Sequence, residues 1–262
     1  MASGRPVLFV DAGNSFVKFA ARDGRAWSDL GRTATSAAVS ARRVIPPGAR
    51  RYVDRRRDVE TWVSSVVPGA NRPVAAALRA LTGSRPVFVD HRFRLPFRLH
   101  VAKPGELGAD RLCAAAGAVR RGRRSVIVID VGSAITVDLV DRGAYRGGLI
   151  LVGPALGLRT LGAYARRLPT VDLPSAPHAF PQLFENTRSS MILGARVGAL
   201  GAVREAAAVL RRAAGGRPGV VVTGGGVVTW TDRLPAGWRF EPRLVCEGLL
   251  LLRRLNPERR PQ

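Results

Sequence analysis

With 262 residues, 46% of them apolar and 23% charged, the chain has the composition of a folded globular protein, not a disordered or fibrous one, and is long enough for one large domain or two ordinary ones. Its net charge of +23 comes almost wholly from arginine, because Lys18 and Lys103 are the only lysines. Such a field draws polyanions, nucleotides and acidic metabolites, but runs such as Arg55-Arg56-Arg57 lack the interleaved aromatics of a nucleic-acid surface, so nucleic acid is not the expected partner although the charge leaves it open.

No stretch reaches the roughly 18 uninterrupted apolar residues of a membrane helix, and no signal-peptide core precedes the first strand. No membrane partner and a cytoplasmic location are therefore expected. Cys113 and Cys246 form no close-spaced motif and read as buried free thiols, and the three scattered histidines make no zinc pattern.

Residues 6–11 and 16–22 read as paired strands around the polar interruption Asp11-Ala12-Gly13-Asn14-Ser15. The interruption is either a plain hairpin turn or a phosphate turn. A glycine where a strand reverses lets backbone N–H groups approach a phosphate, Lys18 adds a cation, and Asp11 can hold Mg²⁺ through water. An arginine-rich stretch follows to about residue 58, with Pro46-Pro47-Gly48 as a loop. "WVSSVVPG" reads as a strand ending at Pro68, "ANRPVAAALRALTG" as a helix closed by Gly83, and "RPVFVDH" as another strand.

"GELGADRLCAAAGAVRR" reads as a helix from Gly105 to about residue 121, with Asp110 and Arg111 in its first turns, where the helix dipole favours a carboxylate. That pair is either dipole compensation with a solvated arginine, or a general base for a substrate hydroxyl beside a cation for a substrate oxygen.

At residue 126 the order restarts. "VIVIDVGSAITVDLV" repeats the strand, the aspartate (Asp130), the glycine (Gly132), the hydroxyl residue (Ser133) and the returning strand. A third strand through "AYRGGLILVG", a helix over "PALGLRTLGAYARRL", a long helix from "TRSSMILG", the strand "GVVVT" running into Gly224-Gly225-Gly226, and the closing helix "EGLLLLRRL" complete the chain. Alternating strands and helices make the class α/β, and the restart predicts a duplicated domain, with an N-terminal half over 1–115 and a C-terminal half over 116–262. Two matching turns suggest a clamp on one nucleotide.

Together, "DAGNSFVK", "SSVVPG", "PGELGADR", "DVGSAITVD", "ENTRSSMILG" and "TGGG" resemble, in order and spacing, the type III pantothenate kinase family, which includes the Bvg accessory factor homologues. The resemblance covers nearly the whole chain. It implies two ribonuclease H-like domains of the acetate kinase, sugar kinase, Hsp70 and actin superfamily. It also implies ATP-dependent phosphorylation of pantothenate to 4'-phosphopantothenate, the first step of coenzyme A synthesis, by a homodimer using Mg²⁺ and a monovalent cation, K⁺ or NH₄⁺.

Carried over, Asp11, Ala12, Gly13, Asn14, Ser15, Phe16, Val17 and Lys18 line the ATP phosphates and Ser133 adds a hydroxyl. Asp130 binds the monovalent cation. Gly108, Ala109, Asp110 and Arg111 hold pantothenate with Asp110 as proton acceptor, and Thr187 contacts it from the other subunit or domain. Val101 stands where the family places a substrate-facing tyrosine, which removes a ring and a hydroxyl. The rival reading is an accessory factor with little kinase activity that binds nucleotide or nucleic acid, and a third is a related kinase for a different hydroxylated acid.

Overall fold

A computed structural model describes residues 5–24, 26–40, 44–120, 122–174, 186–227 and 233–260. Its elements run β1 (Val7–Ala12), β2 (Phe16–Asp23), β3 (Ala26–Ala34), α1 (Thr35–Val39), α2 (Pro47–Asp54), β4 (Glu60–Ser65), α3 (Pro68–Thr82), β5 (Val87–Phe88), β6 (Arg98–Leu99) and α4 (Ala109–Val119). They continue as β7 (Val126–Val131), β8 (Ala134–Asp141), β9 (Ala144–Val152), α5 (Pro154–Tyr164), α6 (Thr187–Ala213), β10 (Gly219–Thr223), β11 (Trp238–Phe240) and α7 (Leu244–Leu255).

One sheet has the order β3-β2-β1-β4-β5 and the other β11-β10-β7-β8-β9-β6. In both, three consecutive antiparallel strands meet a parallel partner on the far side of the first, β4 beside β1 and β10 beside β7. The restart in the sequence is thus a repeat of topology, with β6 as an addition to the second sheet. Central strands β1 and β7 are buried on both faces except at their aspartates, which is why they read as unbroken apolar runs.

The described residues fall into two compact units. The first takes residues 5–96, Ala102–Arg120 and the chain from Leu244 onward, and the second takes Phe97–Val101 and the described part of 121–243. The expected division at 115/116 differs from this in three ways: the break comes at the end of α4, Phe97–Val101 belongs with the second unit, and α7 belongs with the first although it comes last in the sequence.

Two features hold α7 there. A Cβ on Gly117 of α4 would strike the Leu244 carbonyl, and one on Gly248 of α7 would strike the Cys113 carbonyl, so the two helices cross at a contact only glycine allows. Arg253 of α7 donates from Nε to Oε2 of Glu60 at 2.7 Å and from Nη2 to Oε1 at 2.9 Å, a bidentate pair with both residues buried.

Each unit has its own core. Leu8, Val10, Val17, Phe19, Val63, Val74 and Leu78 fill the first, and Ile127, Ile129, Ile135, Val137, Leu200 and Val222 the second. Helix α3 starts with Pro68 at its first position and ends on Gly83 in the left-handed region (φ 76°), the expected stop. Helix α4 begins at Ala109, four residues later than expected, because Pro104–Glu106 form a separate 3-10 turn.

Among the described residues no helix is long and apolar enough to cross a membrane. Cys113 and Cys246 are free thiols, the first buried and the second half-buried.

Candidate active site

The first turn is built by β1 and β2, whose register pairs Asp11 with Lys18 and Ala12 with Val17. Gly13 N–H donates to the Phe16 carbonyl at 3.0 Å and closes the loop, leaving Asn14 and Ser15 exposed at its tip. Two bonds from the start of α1 pin it: Thr35 Oγ1 donates to the Gly13 carbonyl at 2.6 Å, and Thr35 N–H donates to the Ser15 carbonyl at 3.0 Å.

The second turn has the same plan one residue shorter. Asp130 pairs with Thr136, Gly132 N–H donates to the Ala134 carbonyl, and Gly153 N–H, at the start of α5, donates to the Ser133 carbonyl. In each unit the turn is thus braced by the first residue after the third strand. Thr35 was missed in the sequence; its only signal there is a threonine opening a short helix.

Lys18 Nζ lies 3.6 Å from Asp11 Oδ2. Burial pushes the Asp11 carboxyl above its ordinary value, and Lys18 pulls it partly back. A carboxyl raised by folding makes the native state bind protons more tightly than the unfolded chain, so stability falls as pH rises through the window between the unfolded and folded values. Ionised Asp11 therefore costs stability at neutral pH. Asp11→Asn is expected to raise Tm at pH 7.5, with the gain shrinking below the window. A variant no more stable than the parent at pH 7.5 contradicts this.

The start of α4 faces the same region of the first unit. Asp110 Oδ1 accepts from Arg111 N–H at 2.7 Å, fixing the carboxylate in the first turn. A Cβ on Gly108 would meet Asp110 Oδ1 at 2.6 Å and Val66 Cγ1 at 3.1 Å, so glycine is what lets "SSVVPG" pack against "ELGADR". The first of these segments is held by Val66 N–H on the Ala12 carbonyl and by the 2.5 Å bond from Ser65 Oγ to Asn71 Oδ1.

Beneath lies Cys113, whose thiol is pushed well up, first by burial and then by Asp11 and Asp110. The thiol stays protonated.

The remaining expected residues stand on the second unit. Asp130 closes β7, where Gly224 (φ 97°) lies so near that a Cβ would meet both Asp130 Oδ1 and the Val131 carbonyl. Glycines 224 and 226 therefore answer to the backbone of β7, while Gly225 faces open space. Thr187 is exposed at the start of α6, which Asn186 caps by accepting from Ser189 N–H. Val101 is half-buried near Gly147 and follows His100, whose Nδ1 is 3.3 Å from Arg146 Nη1.

Among the described residues no three His, Cys, Asp or Glu side chains gather as a metal cage. A single carboxylate at each turn suits hard cations that take most of their ligands from phosphates, water or backbone carbonyls. Asp11 is the carboxylate of the first turn and Asp130 that of the second. The Asp130 carboxylate and the Val131 carbonyl form a cradle of oxygens beside Gly224.

The family model described as type III pantothenate kinase matches residues 7–209. A Syntrophotalea carbinolica protein named type III pantothenate kinase is 30% identical over 94% of this chain and 97% of its own, and one of the same name from Rhizorhabdus wittichii is 33% identical over 93% and 95%. Among solved structures, a Campylobacter jejuni protein named for the Baf family of transcriptional activators shares the fold with a TM-score of 0.57 at 19% identity, covering 96% of this chain and 99% of its own. MreB5 of Spiroplasma citri bound to AMPPNP gives 0.51 at 10% identity over 98% of each chain. With its paired sheets, its two braced turns and sequence identity of this extent, the chain belongs to the type III pantothenate kinase family.

Proposed function

We propose that this protein is a cytoplasmic kinase that moves the γ-phosphoryl group of ATP to the primary hydroxyl of pantothenate, giving 4'-phosphopantothenate for coenzyme A synthesis. The observation that carries the reading is family membership together with the contacts that tie the first turn to the start of α4: Val66 N–H donates to the Ala12 carbonyl, and Val66 packs against Gly108 beside Asp110.

Phosphoryl transfer passes through a loose transition state, so the protein contributes chiefly by positioning and charge neutralisation. The Gly13 turn and Lys18 receive the phosphates, Ser133 adds a hydroxyl, and Asp11 holds Mg²⁺, which offsets charge on the phosphate oxygens when bound. Asp110 accepts the proton of the attacking hydroxyl. Arg111, with Gly108 and Ala109, holds the pantothenate. The Asp130 cradle takes K⁺ or NH₄⁺.

A homodimer is part of the proposal. Ile150 and Val152 of β9, Leu161 and Tyr164 of α5 and Val197 of α6 are large apolar side chains left exposed on the second unit, Tyr164 at 85% and Val152 at 63%. An apolar surface of this kind suits association with a second copy. Thr187 then reaches the substrate from the partner subunit or from its own chain.

Purified protein should release ADP when given ATP, Mg²⁺ and pantothenate, faster in K⁺ than in Na⁺. Turnover no higher than without pantothenate, under conditions where ATP binds, rejects the kinase reading. Equal rates in the two salts reject only the cation role of Asp130.

A further inference from the structure

Asp11, Lys18 and Arg32 form a row across three adjacent strands. Asp11 on β1 is the direct partner of Lys18 on β2, and Lys18 is the direct partner of Arg32 on β3. Directly opposed residues of antiparallel strands present their side chains on the same face, so a carboxylate and two cations stand in line beside the Gly13 turn. Lys18 is already engaged by Asp11 at 3.6 Å. One negative charge offsets one positive, and Arg32 is the surplus cation of the row.

Arg32 is also held in place. Its Cζ lies 4.3 Å from the centroid of the Phe16 ring, and Phe16 is the first residue after the turn, 36% exposed although large and apolar. Among the described residues Arg32 makes no ion pair. An aromatic ring beneath a guanidinium limits its rotamers while leaving its planar fork of N–H donors open, and that fork matches two oxygens of one phosphate. Val17 and Phe19, the alternate residues of β2, point into the core, so Phe16 and Lys18 share the outward face.

We propose that Arg32 is a nucleotide-binding residue of this site, donating to phosphate oxygens beyond the α-phosphate, with Phe16 as its support. The assignment rests on the ATP reading above and deepens it. It also explains how a turn whose lysine is paired with a carboxylate draws a polyanion: the excess charge comes from the neighbouring strand.

Calorimetric titration with AMP, ADP and ATP tests this without any need for turnover. Arg32→Ala is expected to weaken ADP and ATP binding about tenfold, the scale of one hydrogen-bonded charged contact, while AMP affinity and Tm stay unchanged. Arg32→Lys should recover part of the loss, because a point charge replaces a fork. Arg50→Ala, which removes the same charge from an exposed position on α2, should alter none of the three.

A parent protein that binds no ATP overturns the kinase reading and this assignment with it. A parent that binds ATP, with both Arg32→Ala and Arg32→Gln within twofold of it for ADP and ATP, overturns the Arg32 assignment alone. Equal weakening of all three nucleotides also overturns it, since the effect would then not lie beyond the α-phosphate.

Discussion

Asp110→Asn should lower kcat for pantothenate phosphorylation by about 10²- to 10⁴-fold, the range that a positioned general base contributes. Asn keeps an oxygen that can accept from Arg111 N–H, as Asp110 Oδ1 does at 2.7 Å, and lacks the basic group. ATP affinity should stay within twofold, because the phosphates are assigned to the Gly13 turn. ADP release at saturating substrates, read beside nucleotide titration, separates the two effects; an unchanged kcat would show that the hydroxyl proton goes elsewhere.

The largest expected effect on stability lies away from the chemistry, at Glu60 and Arg253. Glu60 is 2% exposed and accepts both guanidinium bonds of Arg253, with Trp62 Nε1 also donating to its Oε2 at 3.4 Å. Arg253→Met leaves that carboxylate buried without its cation and should cost about 3–5 kcal/mol. Against a typical folding stability of about 5–15 kcal/mol this is a large share. Urea unfolding followed by tryptophan fluorescence measures it. The double variant Glu60→Leu with Arg253→Met should regain most of the loss, since removing both charges also removes the desolvation cost. A single-variant loss below about 1 kcal/mol would mean that water reaches the carboxylate.

Much of this was legible in the sequence because it is local. Asp, Gly and Ser between two apolar runs dictate a tight strand reversal wherever they occur, and the second copy at Asp130 announced the duplication. Gly83 stopped α3 where a left-handed residue was expected. The two strand reversals at Gly13 and Gly132 could be located for the same reason, since each depends on a few neighbouring residues.

What escaped has a common cause. Strand β3 carries only one fully buried residue and alternates weakly, so an arginine-rich composition masked it, and Arg32 and Thr35 were masked with it. The brace from Thr35 to Gly13 spans 22 residues and the Glu60 pair spans 193. Neither leaves a periodic trace in the sequence. The place of α7 escaped in the same way, because its attachment depends on Gly117, Gly248 and Arg253 meeting distant partners.

The return of α7 also sets an order of events during synthesis. A ribosome adding about 5–20 residues per second needs about 10–40 s to travel the 193 positions from Glu60 to Arg253. Throughout that interval β4 exists with its carboxylate uncompensated and α4 without the helix that crosses it. The second unit, contiguous from residue 122 to 243 apart from the short β6 strand, has all its strands before α7 is made. The half that is translated first is therefore the half that finishes last, and its nascent form is the stage at which this protein would draw on chaperones.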